Sequence, residues 1–119
     1  MKINANLNDV KEYVEEDWYV CRVVGVESRT KKGGDSKYLN WELEIAEGED
    51  EGFKVWYMTS LKPTARRYLK RWIKALGVEW DEDGNFHTED CIGQEIELYL
   101  VVDEYQGEMD NEVDKFRQI

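Results

Sequence analysis

Three strand-like runs precede a single helical pattern in this 119-residue chain, and two follow it. That order constrains the fold more than any motif does. The clearest run is Lys37 to Ala46, where Leu39, Trp41, Leu43 and Ile45 alternate with Tyr38, Asn40, Glu42 and Glu44. A period of two is the mark of a strand with one face buried. Before it, Trp18 to Val26 is rich in β-branched and aromatic residues and reads as a first strand. Tyr19, Cys21 and Val23 would point inward and Arg22 outward, and Gly25 interrupts the alternation as a bulge would. After it, Phe53 to Thr59 reads as a third strand, with Phe53, Val55 and Tyr57 on one face and Lys54, Trp56 and Met58 on the other.

The connections carry their own signals. Arg29 to Ser36 is a loop punctuated by Gly33-Gly34, and Glu47 to Gly52 is an acidic turn with Gly48 and Gly52 near its ends. If that turn pairs Ile45 with Phe53, Glu44 lies opposite Lys54, Glu42 opposite Trp56 and Asn40 opposite Met58. Glu44 and Lys54 have the right signs for cross-strand neighbours. The same register leaves Trp56 on the outer face among charged residues, where a tryptophan needs a reason. Pro63 suits the first turn of a helix, Ala65, Leu69, Trp72, Ile73 and Leu76 form an apolar stripe, and Gly77 sits where a C-cap is wanted. An acidic, turn-rich stretch follows. Glu95 to Asp103 then reads as a fourth strand, Gln106-Gly107 as a loop and Val113 to Ile119 as a fifth strand.

Three strands, a helix and two strands is the order of a small five-stranded Greek-key barrel of the oligonucleotide-binding type, whose second and third strands face the ligand. The expected architecture is therefore all-β with one helix between strands three and four. Residues 17–119 form this oligonucleotide-binding domain, and residues 1–16 are a polar lead-in with Leu7, Val10 and Val14 as its few apolar positions. At this length one domain with a modest core is expected.

Composition bears on the partner. The net charge is −11, from 16 basic and 27 acidic residues, and a nucleic-acid binder is usually basic. The distribution is uneven. Leu61 to Gly77 holds Lys62, Arg66, Arg67, Lys70, Arg71 and Lys74 and no acid; the rest of the chain holds 10 basic and 27 acidic residues, a net −17. Arg22, Arg29, Lys31, Lys32 and Lys37 form a second basic cluster against Glu27 and Asp35. A locally positive stripe can hold a phosphate chain on an acidic protein, with weakened long-range steering. Cys21 and Cys91 make no disulfide framework and read as reduced, buried thiols. No signal-peptide pattern opens the chain and no run approaches the ~20 apolar residues of a membrane span. A cytoplasmic protein with no membrane association is expected.

The residues also resemble a family. Tyr19-x-Cys21-x-Val23, the Lys31-Lys32-Gly33 loop, Leu39-x-Trp41-x-Leu43-x-Ile45 and Gly48 to Gly52 look like the first half of small phage-encoded single-stranded-DNA-binding proteins with an oligonucleotide-binding barrel. Leu69-x-x-Trp72-x-x-Ala75-Leu76-Gly77 resembles their helix, Glu89-Asp90-Cys91-Ile92-Gly93 the segment opening their fourth strand, and Tyr105-x-Gly107 with Val113-x-x-Phe116 their last hairpin. The resemblance spans about Trp18 to Phe116. It implies sequence-tolerant binding of single-stranded DNA in phage replication or recombination, in a host cytoplasm, with phage or host replication and recombination proteins as partners. Many relatives recruit partners through an acidic tail; this chain stops at Ile119, so recruitment by such a tail is not expected.

Residue chemistry gives that activity a place. Bases stack on aromatic rings whatever their sequence. Tyr38 and Trp56 are the outward candidates, while Trp41 and Tyr57 have core parity. Arg29, Lys31, Lys32, Lys37 and Lys54 are candidates to neutralise phosphates, with glycines letting the loop backbone approach. Arg22 joins them if strand one turns it outward, and Tyr105 is a candidate clamp from the last hairpin. An ordinary solvated hairpin loop would carry similar lysines. The helix cations are left outside the primary site, because the helix of such a barrel plugs its end; they would extend the site or meet the acidic surface of a neighbouring copy. Homo-oligomerisation fits a protein that covers a strand cooperatively.

Other chemistries find less support. Glu79 to Asp90 overlays a twelve-residue calcium loop, with Asp81, Asp83 and Gly84 in register, but it starts with Glu, ends with Asp and precedes a strand. His87, Cys91 and Cys21 lack zinc spacing. No nucleophile or phosphate-loop motif is present. No enzymatic activity, metal or cofactor is expected. The rival reading is an acidic oligonucleotide-binding-type module that binds a basic protein partner or mimics DNA. Basic residues on the face of strands two and three favour the first reading, and a continuous acidic surface there favours the second.

Overall fold

The computed structural model describes residues 1–34 and 36–119. It is mostly β, with one α-helix and one five-stranded antiparallel sheet. The strands are β1 (Asp17–Thr30), β2 (Lys37–Ile45), β3 (Lys54–Ser60), β4 (Glu95–Tyr105) and β5 (Glu108–Arg117), in the sheet order β3-β2-β1-β4-β5. The helix α1 (Arg66–Ala75) follows β3, entered through a 3-10 turn at Pro63–Ala65.

Each element follows from its local pattern. In β2 the buried residues are Leu39, Trp41, Leu43 and Ile45, the alternation seen in the sequence. The β2–β3 register pairs Glu44 with Lys54, Glu42 with Trp56 and Asn40 with Met58, as the turn and charge pattern predicted. The β1–β2 ladder shifts register between Val23 and Gly25, so the interrupting glycine marks a bulge. Because two residues there oppose one, the strand bends and the parity of β1 is reset. Past the bulge, β1 runs on to Thr30, four residues beyond the expected end, so the loop shortens to residues 31–36. Asp35, weighed against that loop's cations above, lies outside the described residues.

Helix α1 ends as its sequence predicts. Gly77 has φ 77°, its N–H donates to the Lys74 carbonyl, and the Val78 N–H reaches back to Ile73. Only glycine adopts that conformation at little steric cost. The β4–β5 hairpin turns on Gln106 and Gly107, with φ of 51° and 83°. Two left-handed residues in a two-residue loop match the twist of the flanking strands.

The core lies on the inner face of the sheet. Trp72 of α1 is fully buried and gathers the aromatic rings: Trp41 at 5.7 Å, Tyr57 at 4.6 Å and Phe116 at 5.1 Å between centroids. Tyr57 of β3 and Phe116 of β5 also meet at 6.1 Å, so the two outermost strands of the sheet approach each other beside the helix. Trp41 donates its indole N–H to Thr59 Oγ1 at 2.8 Å, whereas Trp72 Nε1 has no partner among the described residues. Cys21 and Cys91 are buried free thiols.

The lead-in is tied down more firmly than its polar sequence indicates. Val14 is fully buried, and its N–H and C=O are both held by the Asn111 side chain, at 2.8 and 3.0 Å. The Glu16 carboxylate accepts from the Val102 N–H at 2.8 Å, just past the point where β1 stops pairing with β4. No helix among the described residues is long and apolar enough to cross a membrane.

Candidate nucleic-acid interface

The outer face of β1, β2 and β3 is built by the residues that the core rejects. Once Leu39, Trp41 and Leu43 turn inward, Tyr38, Asn40 and Glu42 must turn outward. The register then sets Trp56 beside Glu42 and Met58 beside Asn40. Trp56 is 53% exposed and Met58 54%, while Tyr38 is half-buried. Together these side chains form an apolar platform on an otherwise polar face.

Next to the platform lies a depression of about 320 Å³ lined by Gly25, Glu27, Arg29, Asn40, Glu42 and Trp56, among others. Gly25 lines it without a side chain. A Cβ built there would meet Glu42 only at 3.9 Å, so the absence of a side chain keeps the depression open without any backbone constraint requiring glycine.

The charges on this face are mostly paired. Arg22 does face outward, but it sits between Glu44 (3.4 Å) and Glu95 (3.3 Å). Arg29 is held by Glu27 at 2.7 Å, a hydrogen bond that raises the guanidinium pKa still further. Lys54 reaches Glu42 at 3.2 Å. These exposed pairs are weak and salt-sensitive, so a phosphate can take the place of a carboxylate. Lys31, Lys32 and Lys37 form no ion pair among the described residues. The face is therefore neither a basic groove nor a continuous acidic surface. It is an aromatic platform with balanced charge, bordered by the loop that carries Lys31 and Lys32.

Sheet register sets Tyr38, Trp56, Lys54 and Arg29 on this outer face, whereas Lys37 shares the parity of Leu39 and Trp41 and stands at the start of β2, off it. Lys37 and Tyr38 oppose Thr30 and Arg29 across β1, and Tyr38 also opposes Ser60 across β3. Tyr105 is placed differently. It is 73% exposed at the β4–β5 tip, beyond the N-terminal end of β1, whereas the cationic loop lies beyond its C-terminal end. Its neighbours are acidic: Asp103 is directly opposite Asp110, and the nearby Asp103 carboxylate raises the Glu112 pKa. Such a tip repels a phosphate chain.

Sequence reasoning missed Gly25, Asn40 and Met58 as site-lining residues; strand parity was the available signal. It also missed a cluster on the outer face of β1, β4 and β5. There the Arg117 guanidinium lies 3.9 Å from the Trp18 ring centroid, Tyr99 meets Trp18 edge-on at 5.5 Å, and Lys115 stands 5.1 Å from the Tyr99 ring. The contacting pairs are 16 to 99 positions apart along the chain, and a bulge between Tyr99 and Leu100 sets the β5 register, so no local pattern joins them. In the calcium-like loop, Asp81 Oδ1 accepts from the N–H groups of Asp83 and Asn85 at 2.9 Å each, and the stretch ends in a 3-10 turn at Thr88–Asp90 with β4 after it. That carboxylate is used by its own turn. No known protein-family model matches this chain, and no curated protein matches it in sequence.

Proposed function

We propose that this protein binds single-stranded DNA without strong sequence preference, and that its sheet is a five-stranded oligonucleotide-binding barrel. The strand order, the Gly25 bulge and the approach of β3 to β5 through Tyr57 and Phe116 support the barrel. Trp56 carries the functional reading. A register fixed by the core leaves its indole more than half exposed, on the same face as Met58 and Tyr38 and at the wall of an open depression. Bases stack on Trp56 and Tyr38, while Lys31, Lys32 and Lys37 neutralise phosphates. Arg29 and Lys54 join by exchanging their carboxylate partners. The resemblance to phage single-strand binders is what assigns the activity to phage replication or recombination.

The test is intrinsic tryptophan fluorescence during titration with oligo(dT) at two salt concentrations, with duplex DNA as control. Trp41 and Trp72 are fully buried, so quenching reports the exposed indoles. Trp56→Ala should weaken binding by at least ~1 kcal/mol in a protein that still folds. Absence of binding at low salt would sink the reading and favour an acidic module with a protein partner.

A further inference from the structure

Helix α1 presents a charge arrangement that costs the free chain something. Arg66, Lys70 and Lys74 recur every fourth residue, and Arg67 and Arg71 form a parallel row. Each row advances about 6 Å per step along the axis. Like charges at this spacing destabilise a helix, and cations in the first turn oppose its dipole. No acid occupies that first turn. The chain has 27 acidic residues, yet none pairs with a helix cation among the described residues. The two rows form a linear stripe whose strain a linear polyanion would relieve.

The stripe carries aromatic rings. Tyr68 is 55% exposed, between the guanidinium groups of Arg67 (5.4 Å) and Arg71 (5.8 Å). Trp80, 40% exposed, stands 5.6 Å from the Lys70 ammonium. Trp80 and Lys70 border two separate depressions, of about 290 and 580 Å³. An exposed indole with open space beside it and cations alongside is what stacking on a single strand needs.

The stripe begins where the platform ends. Tyr38 opposes Ser60, and the Leu61 N–H donates to the Lys37 carbonyl at 3.0 Å. The chain therefore leaves β3 beside Lys37 and enters the helix through Lys62 one residue later. A strand lying on Trp56 and Tyr38 and running off this end of the sheet would reach the point where Lys62 and then Arg66 follow Leu61 in the chain.

We propose that the exposed face of α1 is a second segment of the same single-strand path, its phosphodiester backbone following Arg66, Lys70 and Lys74 and a base resting on Trp80. This rests on the reading of the β2–β3 face as the primary platform. The same charges would also suit the acidic surface of a second copy. The paired depressions at Trp80 and the continuity with Lys37 favour the strand.

The experiment compares the wild type with an Arg66→Gln, Lys70→Gln double variant on oligo(dT) of about five and about twenty nucleotides, lengths that bracket one barrel's usual site. Both side chains are exposed, and a thermal melt confirms the fold. Expected is unchanged affinity for the short strand, about a tenfold loss on the long one, and a long-strand salt slope shallower by about 1.4, for two phosphate contacts. Unchanged long-strand binding overturns the proposal, as does an equal loss at both lengths. A variant that alters sedimenting mass while binding the long strand normally assigns the stripe to a second copy and also overturns it. If the wild type binds neither strand, the primary reading falls and takes this one with it; wild-type binding of the short strand keeps the two failures apart.

Discussion

Asn111 offers the sharpest test of how the lead-in belongs to the fold. Its side chain is buried and makes three hydrogen bonds: from Val14 N–H to Oδ1 at 2.8 Å, and from Nδ2 to the carbonyls of Val14 (3.0 Å) and Val101 (3.2 Å). Asn111→Ala removes all three and strands a buried N–H. At about 1 kcal/mol per net bond, plus the desolvation of groups left unpaired, the expected loss is about 2–4 kcal/mol. That is a large share of the ~5–15 kcal/mol that holds a domain of this size. Asn111→Asp should be worse at neutral pH, because a carboxylate oxygen then faces two carbonyls where Nδ2 donated. Protonation at low pH restores one donor, so the gap between Ala and Asp narrows as pH falls. Urea denaturation measures the loss, and hydrogen exchange at the Val14 amide locates it. If Asn111→Ala shifts stability by less than ~0.5 kcal/mol and the Val14 amide stays protected, the strap is held by apolar contact alone and the reasoning fails.

Three further outcomes follow from the geometry. Gly25→Leu should fill the depression beside Trp56 and weaken oligo(dT) binding about tenfold with little change in stability, since the site imposes no positive φ; unaltered titrations would remove the depression from the path. Lys31→Glu with Lys32→Glu should lower affinity and flatten its dependence on salt, and equal slopes in a salt series would place the loop off the path. Burial pushes Cys21 up to about 12 from 9.0, and burial followed by the charges of Asp90 and Glu89 pushes Cys91 to about 11. Unfolded thiols ionise first as pH rises above 9.0, so stability should fall there, and alkylation at pH 9 should track urea unfolding; fast labelling of the native protein would contradict this.

What was legible in the sequence was whatever one strand or one turn decides. Trp41 and Leu43 set the parity of β2, Glu44 and Lys54 set the register of β3, and Gly77 ended α1, because each signal lies within a few residues of its effect. What was hidden depends on partners distant in sequence. Val14 looks like a stray apolar residue until Asn111, 97 positions later, closes on both its backbone groups. Arg22 looks like a free cation until the β1–β2 ladder sets Glu44 opposite it, and that pairing leaves Lys54 to reach Glu42 rather than the Glu44 across from it. Tyr105 was marked by ring type and loop position, and neither reveals the Asp103–Asp110 pairing that makes its hairpin acidic.

That hidden pairing changes how an acidic protein would hold a polyanion. With Arg22, Arg29 and Lys54 already matched by carboxylates, a bound strand gains little net charge neutralisation over the platform itself. Each phosphate that displaces a carboxylate exchanges one ion pair for another. On the proposed reading the gain there would come from stacking on Trp56 and Tyr38, which involves no counterion release. Counterion release would then be left to Lys31, Lys32 and Lys37, and to the helix stripe for longer strands. The net −11 weakens attraction at a distance and slows encounter rather than loosening contacts already made. Binding should therefore be slow to form at low salt compared with a basic single-strand binder, and should keep more of its affinity as salt rises. Stopped-flow fluorescence across a salt series separates the two effects: association rates set by the whole molecule's charge, and dissociation rates set by the platform.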